Sequence, residues 1–216
     1  MIPQRPLVRV KICGLTNEQD ARDAIDAGAS ALGFNTWKGG KRFIDLDREG
    51  AWITALPPFV TRVALLVNAS LAEAERIAKL SFIDALQLHG DESPDYCRTA
   101  VTFGRPVIKA LRARSNSDLE GLEAFGTPHF LIDAHVPGLF GGTGVAADLD
   151  LARDFTARYP QLSLVLAGGL TADNVSAAIA SARPAAVDVS SGVECTPGIK
   201  DPEKVRAFIQ AAHSCR

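Results

Sequence analysis

The chain has 216 residues, of which 47% are hydrophobic and 22% charged, and its net charge is −2. This composition is typical of a globular protein of one domain, and it lacks the basic excess of proteins that bind nucleic acid or anionic membranes. The apolar runs, such as Val63–Val67, are far shorter than the roughly 20 residues that span a bilayer. The N-terminus lacks a signal-peptide pattern and the cysteines form no CxxC pair, so we expect a cytoplasmic protein with free thiols.

Short apolar runs alternate with longer amphipathic runs along the first half of the chain. Strands are predicted at Val8–Ile12, Ala31–Phe34, Arg62–Val67 and Ala85–Leu88. The helices that follow them are predicted at Glu18–Ala27, Leu46–Leu56 and Leu71–Leu80, with a fourth starting near Ser93 and Pro94. Candidate capping residues, such as Asn17 or Thr16 for the first helix, and a helix-ending glycine, Gly28, support these boundaries.

The second half repeats the same pattern four more times. Strands are predicted at Pro106–Ala110, His129–Ile132, Ser163–Leu166 and Ala186–Val189, and helices at Ser117–Ala124, Asp148–Arg158, Ala172–Ser181 and Pro202–Ala212. Strands this uniformly apolar are typical of a parallel sheet that is buried on both faces. Eight such units predict one compact (β/α)8 TIM barrel with short loops, as a single domain over residues 1–216. An open doubly wound sheet is the alternative, but the first turn, Cys13–Thr16, lacks the GxGxxG fingerprint.

Barrels of this type build their active sites from the C-terminal ends of the strands and the loops after them. Three glycine-rich turns fall at this predicted rim, after the sixth, seventh and eighth strands. They contain Gly141, Gly142 and Gly144, then Gly168 and Gly169, and finally Ser190, Ser191 and Gly192. Because glycine lets the backbone approach an anion closely, these turns predict a phosphate-binding site.

Two reactive side chains end predicted strands. Cys13 follows the first strand and Asp133 follows the sixth. A thiolate and a carboxylic acid on different strands could divide base and acid work across one substrate. The alternatives are a small buried hydrophobe for Cys13 and a helix cap or salt bridge for Asp133.

Two further residues of the same rim could contact a substrate. Arg42 lies in a Gly/Lys-rich loop after the second strand, and arginine is the natural bidentate partner of a carboxylate. His89 follows the fourth strand and could line the pocket or simply hydrogen-bond at the barrel top. The histidines show no metal-ligand spacing, so we expect neither a metal nor another cofactor.

Several motifs resemble the phosphoribosylanthranilate isomerase family of tryptophan biosynthesis. The first is Lys11–Thr16 (KICGLT) and the last is Val187–Glu194 (VDVSSGVE). Between them, similar blocks include KRFI, LQLHG, LIDA, GGTG and LAGGL, in the family's order over nearly the whole chain. The chain departs from the family pattern at two places: before Lys41, which bears on the contacts to the anthranilate ring, and after Gly144, which bears on a helix start near the phosphate loop.

The resemblance implies a (β/α)8 barrel that performs an Amadori rearrangement of N-(5-phosphoribosyl)anthranilate without a cofactor. It implies that Asp133 is the general acid and Cys13 the general base, and that Arg42 engages the anthranilate carboxylate. The glycine-rich turns match the family's phosphate site. The implied partner is this small molecule alone, with no nucleic acid or membrane. The absence of an exposed apolar stripe favours a monomer, and a homodimer is the alternative.

Other functions remain possible for such a barrel. A metal-dependent ribulose-phosphate epimerase would need histidine and aspartate ligands at several strand ends, where only His89 qualifies. Indole-glycerol-phosphate synthase would need a catalytic lysine at a strand end and a longer N-terminus, and Lys11 and Lys109 lie within strands. A catalytically silent phosphate-binding module should have lost Cys13 or Asp133, and the chain keeps both.

Overall fold

Eight parallel strands close into a barrel in a computed structural model that describes residues 7–133 and 145–214. The strands are β1 (Arg9–Cys13), β2 (Ala31–Asn35), β3 (Thr61–Leu66), β4 (Ala85–Leu88), β5 (Val107–Leu111), β6 (His129–Asp133), β7 (Ser163–Ala167) and β8 (Ala186–Val189). Neighbours in sequence are neighbours in the barrel, and β8 pairs with β1 to close it. The predicted fold is therefore confirmed.

Seven α-helices follow strands of the barrel in the part of the chain that the structure describes. They are α1 (Glu18–Asp26), α2 (Leu46–Thr54), α3 (Leu71–Ala78), α4 (Pro94–Val101), α5 (Val145–Arg158), α6 (Val175–Ala182) and α7 (Pro202–Ser214). Side-chain oxygens cap the first four helices, and the capping residues are Asn17, Asp45, Ser70 and Ser93. These caps satisfy backbone N–H groups that a helix start leaves unpaired, which explains why those boundaries could be predicted. No helix in the described ranges is long and apolar enough to cross a bilayer.

The fifth predicted helix is wrong. Two short 3-10 helices, Asn116–Leu119 and Leu122–Phe125, replace Ser117–Ala124. Gly121 separates them with a φ of +69°, a left-handed conformation that an α-helix cannot contain. In addition, α6 begins after Asn174, three residues later than predicted.

A small antiparallel sheet after β8 was not predicted. It consists of β9 (Glu194–Thr196) and β10 (Ile199–Lys200). This hairpin lies between β8 and α7, and Lys200 reaches back from it to the C-terminal end of β1. It therefore places charged side chains beside the barrel mouth.

Side-chain alternation divides each strand between two environments. In β1, Val10 and Ile12 belong to the large core between strands and helices, so Lys11 and Cys13 face the barrel interior. A second, smaller core of Ala110, Leu131, Val165 and Ala167 fills part of that interior. The remaining interior positions include buried polar side chains, and these lie beneath the candidate site.

Candidate active site

A cavity of about 760 Å³ opens among the C-terminal ends of the strands. Its lining contains nine of the predicted site residues: Cys13, Arg42, His89, Asp133, Gly168, Gly169, Ser190, Ser191 and Gly192. The other three, Gly141, Gly142 and Gly144, lie outside the described residues. Residues scattered over most of the sequence are thus brought together because parallel strands all end at the same face of the barrel.

Cys13 is the last residue of β1 and is only 6% exposed. Burial raises the pKa of its thiol, while the positive charges of Lys11 and Lys200 oppose that effect. The Nζ atom of Lys200 also donates a hydrogen bond to the carbonyl oxygen of Cys13, at 2.6 Å. The thiol therefore sits in a small, cation-flanked recess of the cavity.

Asp133 is the last residue of β6 and lies three strands from Cys13 around the barrel. It pairs in register with Ala167, and its half-buried side chain lines the same cavity as the thiol. A ligand in the cavity can therefore contact a carboxyl group and a thiol at the same time.

Arg42 forms a bidentate ion pair with Glu194 of β9. Its Nε and Nη2 atoms donate to the two carboxylate oxygens at 2.7 and 2.6 Å. Lys200 donates to the same carboxylate at 2.8 Å, so Glu194 joins two cations at the barrel mouth. Among the described residues, the Nη1 group of Arg42 makes no hydrogen bond, which leaves it available to an anionic ligand.

His89 lines the cavity beside Gln87, and its Nδ1 lies 2.8 Å from the Gln87 amide nitrogen. Burial and the nearby charge of Lys11 lower the pKa of His89, so the neutral imidazole is favoured. The Gln87 amide nitrogen is a donor, so Nδ1 accepts and Nε2 carries the proton. The other amide atom, Gln87 Oε1, is buried without a hydrogen-bond partner among the described residues.

The turns after β7 and β8 form one wall of the cavity. Gly168 and Gly169 both have positive φ, at +89° and +59°. A Cβ atom on Gly192 would overlap the carbonyl oxygen of Leu170, so the two turns pack backbone to backbone. The hydroxyl of Ser190 is buried and lacks a hydrogen-bond partner among the residues that the structure describes. These turns therefore offer a tight backbone wall with one unsatisfied hydroxyl.

Five polar residues of this region were not predicted as site residues. They are Lys11, Gln87, Asp188, Glu194 and Lys200. The sequence contained one signal for the first three. Each is a polar residue inside an apolar strand, two residues before a residue that faces the cavity at the strand end, so both side chains lie on the same face of the strand. Glu194 and Lys200 belong to the hairpin, whose strands are too short to recognise.

Within the described ranges, no group of three or more histidine, cysteine, aspartate or glutamate side chains is arranged to hold a metal ion. The strongly buried charges form ion pairs instead, as in Lys11 with Asp188 and Lys200 with Glu194.

Comparisons with known proteins agree with this architecture. Residues 10–211 match the family model of N-(5'-phosphoribosyl)anthranilate (PRA) isomerase. A relative of that name from Pelobacter propionicus is 44% identical over 210 residues, which cover 97% of this chain and 98% of the relative. Another from Acidithiobacillus ferrooxidans is 47% identical over 208 residues, covering 94% and 97%.

Solved structures give the same result. The phosphoribosyl anthranilate isomerase of Thermotoga maritima superposes with a TM-score of 0.87 at 39% identity, over 96% of this chain and all of that one. A phosphoribosyl anthranilate isomerase in complex with reduced 1-(o-carboxyphenylamino)-1-deoxyribulose 5-phosphate superposes with a TM-score of 0.84 at 38% identity, with the same coverage. The resemblance seen in the sequence is confirmed, and the chain belongs to the N-(5'-phosphoribosyl)anthranilate isomerase family.

Proposed function

We propose that this chain converts N-(5-phosphoribosyl)anthranilate into 1-(2-carboxyphenylamino)-1-deoxyribulose 5-phosphate by acid–base catalysis, with Asp133 as the acid and Cys13 as the base. The reaction is an intramolecular exchange of oxidation state between C1 and C2 of the sugar. The observation that carries the proposal is the presence of the thiol and the carboxyl group on two strands of one cavity. Family membership supports the substrate and the place in tryptophan biosynthesis.

The proton transfers follow from these two groups. Asp133 donates a proton to the ring oxygen of the ribose, and the nitrogen lone pair opens the ring to a protonated Schiff base. Cys13 then removes the proton from C2, and the resulting electron pair neutralises the iminium to give an enolamine. The enolamine takes a proton at C1 and loses one from the C2 hydroxyl, which gives the ketone, and the net transfer of one proton from Cys13 to Asp133 restores both groups.

Phosphate binding is proposed for the wall formed by the turns after β7 and β8. Gly168, Gly169 and Gly192 keep that backbone close to the cavity, and the buried Ser190 hydroxyl has a proton to donate. Anion sites at these two strand ends are frequent in (β/α)8 barrels. The predicted Gly141, Gly142 and Gly144 are part of the same proposal.

Recognition of the anthranilate carboxylate is proposed for Arg42. Its Nη1 group remains available while Glu194 fixes the rest of the guanidinium. A neutral His89 that carries its proton on Nε2 offers the substrate a further hydrogen-bond donor in the same cavity. The departures from the family pattern before Lys41 bear on the ring contacts and not on these polar ones.

We further propose a cytoplasmic enzyme of one domain over residues 1–216 that needs no cofactor and acts as a monomer or homodimer. The steps above transfer protons and move electron pairs within the substrate, so no external electron acceptor is needed.

One assay tests this function. Freshly prepared phosphoribosylanthranilate is mixed with the protein, before and after treatment with a metal chelator, and its fluorescence is followed. We expect turnover in both samples. We expect Asp133→Asn to lose about 10²- to 10⁴-fold in kcat while still binding a reduced product analogue. Absence of turnover by the folded protein would contradict the proposed function, and activity of Asp133→Asn within tenfold of the wild type would contradict the role of the acid.

A further inference from the structure

A buried ion pair lies beneath the thiol of Cys13. Lys11 precedes Cys13 by two residues on β1, so both side chains face the barrel interior. On the neighbouring strand β8, Asp188 is in register with Lys11, and their Nζ and Oδ1 atoms are 2.8 Å apart. The two side chains are 4% and 9% exposed. The proposed reaction steps do not use either of them.

Gly33 closes the other side of this group. It is in register with Cys13 on β2, and a Cβ atom built on it would lie 2.8 Å from the Cys13 sulfur and 2.9 Å from Lys11 Nζ. One small surface of the glycine therefore contacts both atoms, which places the ammonium group beside the thiol. A larger residue at position 33 would have to displace one of them.

The charge of Lys11 is maintained by its partner. Burial alone lowers the pKa of a lysine, but the attraction of Asp188, together with that of Cys13, carries the pKa of Lys11 above its ordinary value. Lys11 therefore stays protonated throughout the range in which enzymes work. A permanent cation beside a thiol stabilises the thiolate and so makes the sulfur a better base.

Other charged groups also face the sulfur. Asp188 opposes the effect of Lys11, whereas Lys200 and Arg42 add positive charge from the hairpin side. Glu194 pairs with both of those cations and offsets part of their charge. Of the charged neighbours, Lys11 has the largest influence on the thiol.

We propose that Lys11 is a positioning residue for the base and stabilises the thiolate of Cys13 during removal of the C2 proton. Its ion pair with Asp188 holds it in place, and the missing side chain of Gly33 leaves room for its ammonium group beside the sulfur. This role rests on the proposed function, because it acts through the base of that reaction. Lys11 itself exchanges no proton with the substrate.

A second buried lysine provides a matched control. Lys109 of β5 is 3% exposed and pairs with Glu92 at 2.6 Å. It also donates to the carbonyl oxygen of Gly90, so this pair fixes the turn after β4. Its neighbours Ile108 and Ala110 belong to the interior core, which places Lys109 on the other face of β5, away from the cavity. Lys109→Met therefore removes a buried cation without changing the surroundings of Cys13.

The experiment measures the alkylation rate of Cys13 by iodoacetamide against pH, with mass spectrometry reading the peptide that carries this residue. In Lys11→Met we expect the midpoint of the rate profile to rise by about one to two pH units. In the pH profile of kcat/KM, the midpoint of the acid limb should rise by the same amount, and the activity of the variant should recover at high pH. Lys109→Met should keep the wild-type midpoint. If the role of Lys11 were purely structural, Lys11→Met would lower kcat/KM by the same factor at every pH.

Two outcomes would overturn the inference: an unchanged alkylation midpoint in folded Lys11→Met, or an equal shift in Lys109→Met. If Lys11→Met does not fold, Lys11→Met combined with Asp188→Asn removes both charges. A raised midpoint is still expected, because the Lys11 ammonium and the Cys13 sulfur lie against the same face of Gly33 and Lys11 is the charged neighbour with the largest effect on the thiol. The alkylation readout needs no substrate. A wild-type protein that fails to turn over phosphoribosylanthranilate would therefore contradict the proposed function, and the effect of Lys11 on the thiol would be judged separately.

Discussion

The guanidinium group of Arg42, which lines the cavity, is fixed along one edge by Glu194, and its Nη1 group makes no hydrogen bond to the residues that the structure describes. If this group binds the anthranilate carboxylate, its loss removes a contact made equally in the ground state and the transition state. We expect Arg42→Ala to raise KM roughly 10- to 100-fold, as the loss of one charge-assisted hydrogen bond implies, with kcat little changed. Steady-state kinetics with phosphoribosylanthranilate measure both constants.

A change in the ligand provides the control for Arg42. We expect Arg42→Ala to weaken binding of the reduced product analogue but not of the same analogue made from aniline, which lacks the carboxylate. Equal weakening of both ligands would show that Arg42 acts on the shape of the site and not on the carboxylate. Glu194 keeps Lys200 as its partner in this variant, so the hairpin retains one of its two ion pairs.

Single site residues differ in how far they could be predicted. Cys13 and Asp133 could be found because each ends an apolar strand, and strand ends are where such barrels place their chemistry. The partners of these residues could not be found in the same way. Lys11 meets Asp188 only because β8 pairs with β1 in a particular register, and residues 177 positions apart leave no local pattern.

Among the secondary-structure elements, the paired turns after β7 and β8 depend on Gly192. A Cβ atom at this position would overlap the carbonyl oxygen of Leu170, so Gly192→Ala must push the two turns apart. Because these turns are proposed to bind the phosphate group, we expect KM for phosphoribosylanthranilate and the inhibition constant of inorganic phosphate both to rise, by about tenfold or more. Inhibition kinetics with inorganic phosphate isolate this effect from the rest of the substrate.

Gly104→Ala serves as the comparison for that substitution. Gly104 has a φ of +83° but no atom within 4 Å of an added Cβ, so its replacement costs backbone strain without a steric clash. It is also absent from the cavity lining. We expect Gly104→Ala to lower stability while leaving phosphate inhibition unchanged. If Gly192→Ala kept the wild-type inhibition constant for inorganic phosphate, the proposed phosphate site at these turns would be contradicted.

The elements that the sequence predicted poorly are the short ones. Apolar strands and capped helices extend over enough residues for their periodicity to be read, and the eight strands were located correctly. The 3-10 turns around Gly121 and the hairpin of β9 and β10 contain two to four residues per element. Their geometry depends on single glycines and on contacts with the completed barrel, so the local sequence does not determine it.

At the scale of the whole molecule, three buried lysine–carboxylate pairs among the described residues connect different elements of the fold. Lys11 with Asp188 joins the first and last strands, Lys109 with Glu92 joins β5 to the turn after β4, and Lys200 with Glu194 closes the hairpin over β1. These pairs balance in charge, which agrees with a net charge of only −2 for the chain. Breaking one partner of such a pair leaves the other charge buried and is strongly destabilising.

Glu194 links these ion pairs to the stability of the protein against acid. Burial alone would raise the pKa of Glu194, but hydrogen bonds from Arg42 and Lys200 hold it below its ordinary value of 4.5. A carboxylate with a lowered folded-state pKa contributes stability above its unfolded pKa, and that stability is lost as the pH falls through the folded value. We therefore expect the urea midpoint of the wild type to fall as the pH decreases below about 4.5.

The substitution Glu194→Gln separates this contribution from the rest of the acid response. At pH 7 it should destabilise the fold by roughly 3–5 kcal/mol, because Lys200 is left buried without its counterion. Between neutral and acidic pH it should lose less stability than the wild type, since the titrating carboxylate is gone. Glu203→Gln, which removes one partner of an exposed pair with Arg206, should change neither quantity. An equal loss of stability with falling pH in wild type and Glu194→Gln would contradict this prediction, because the lowered pKa of Glu194 would then contribute nothing to folding.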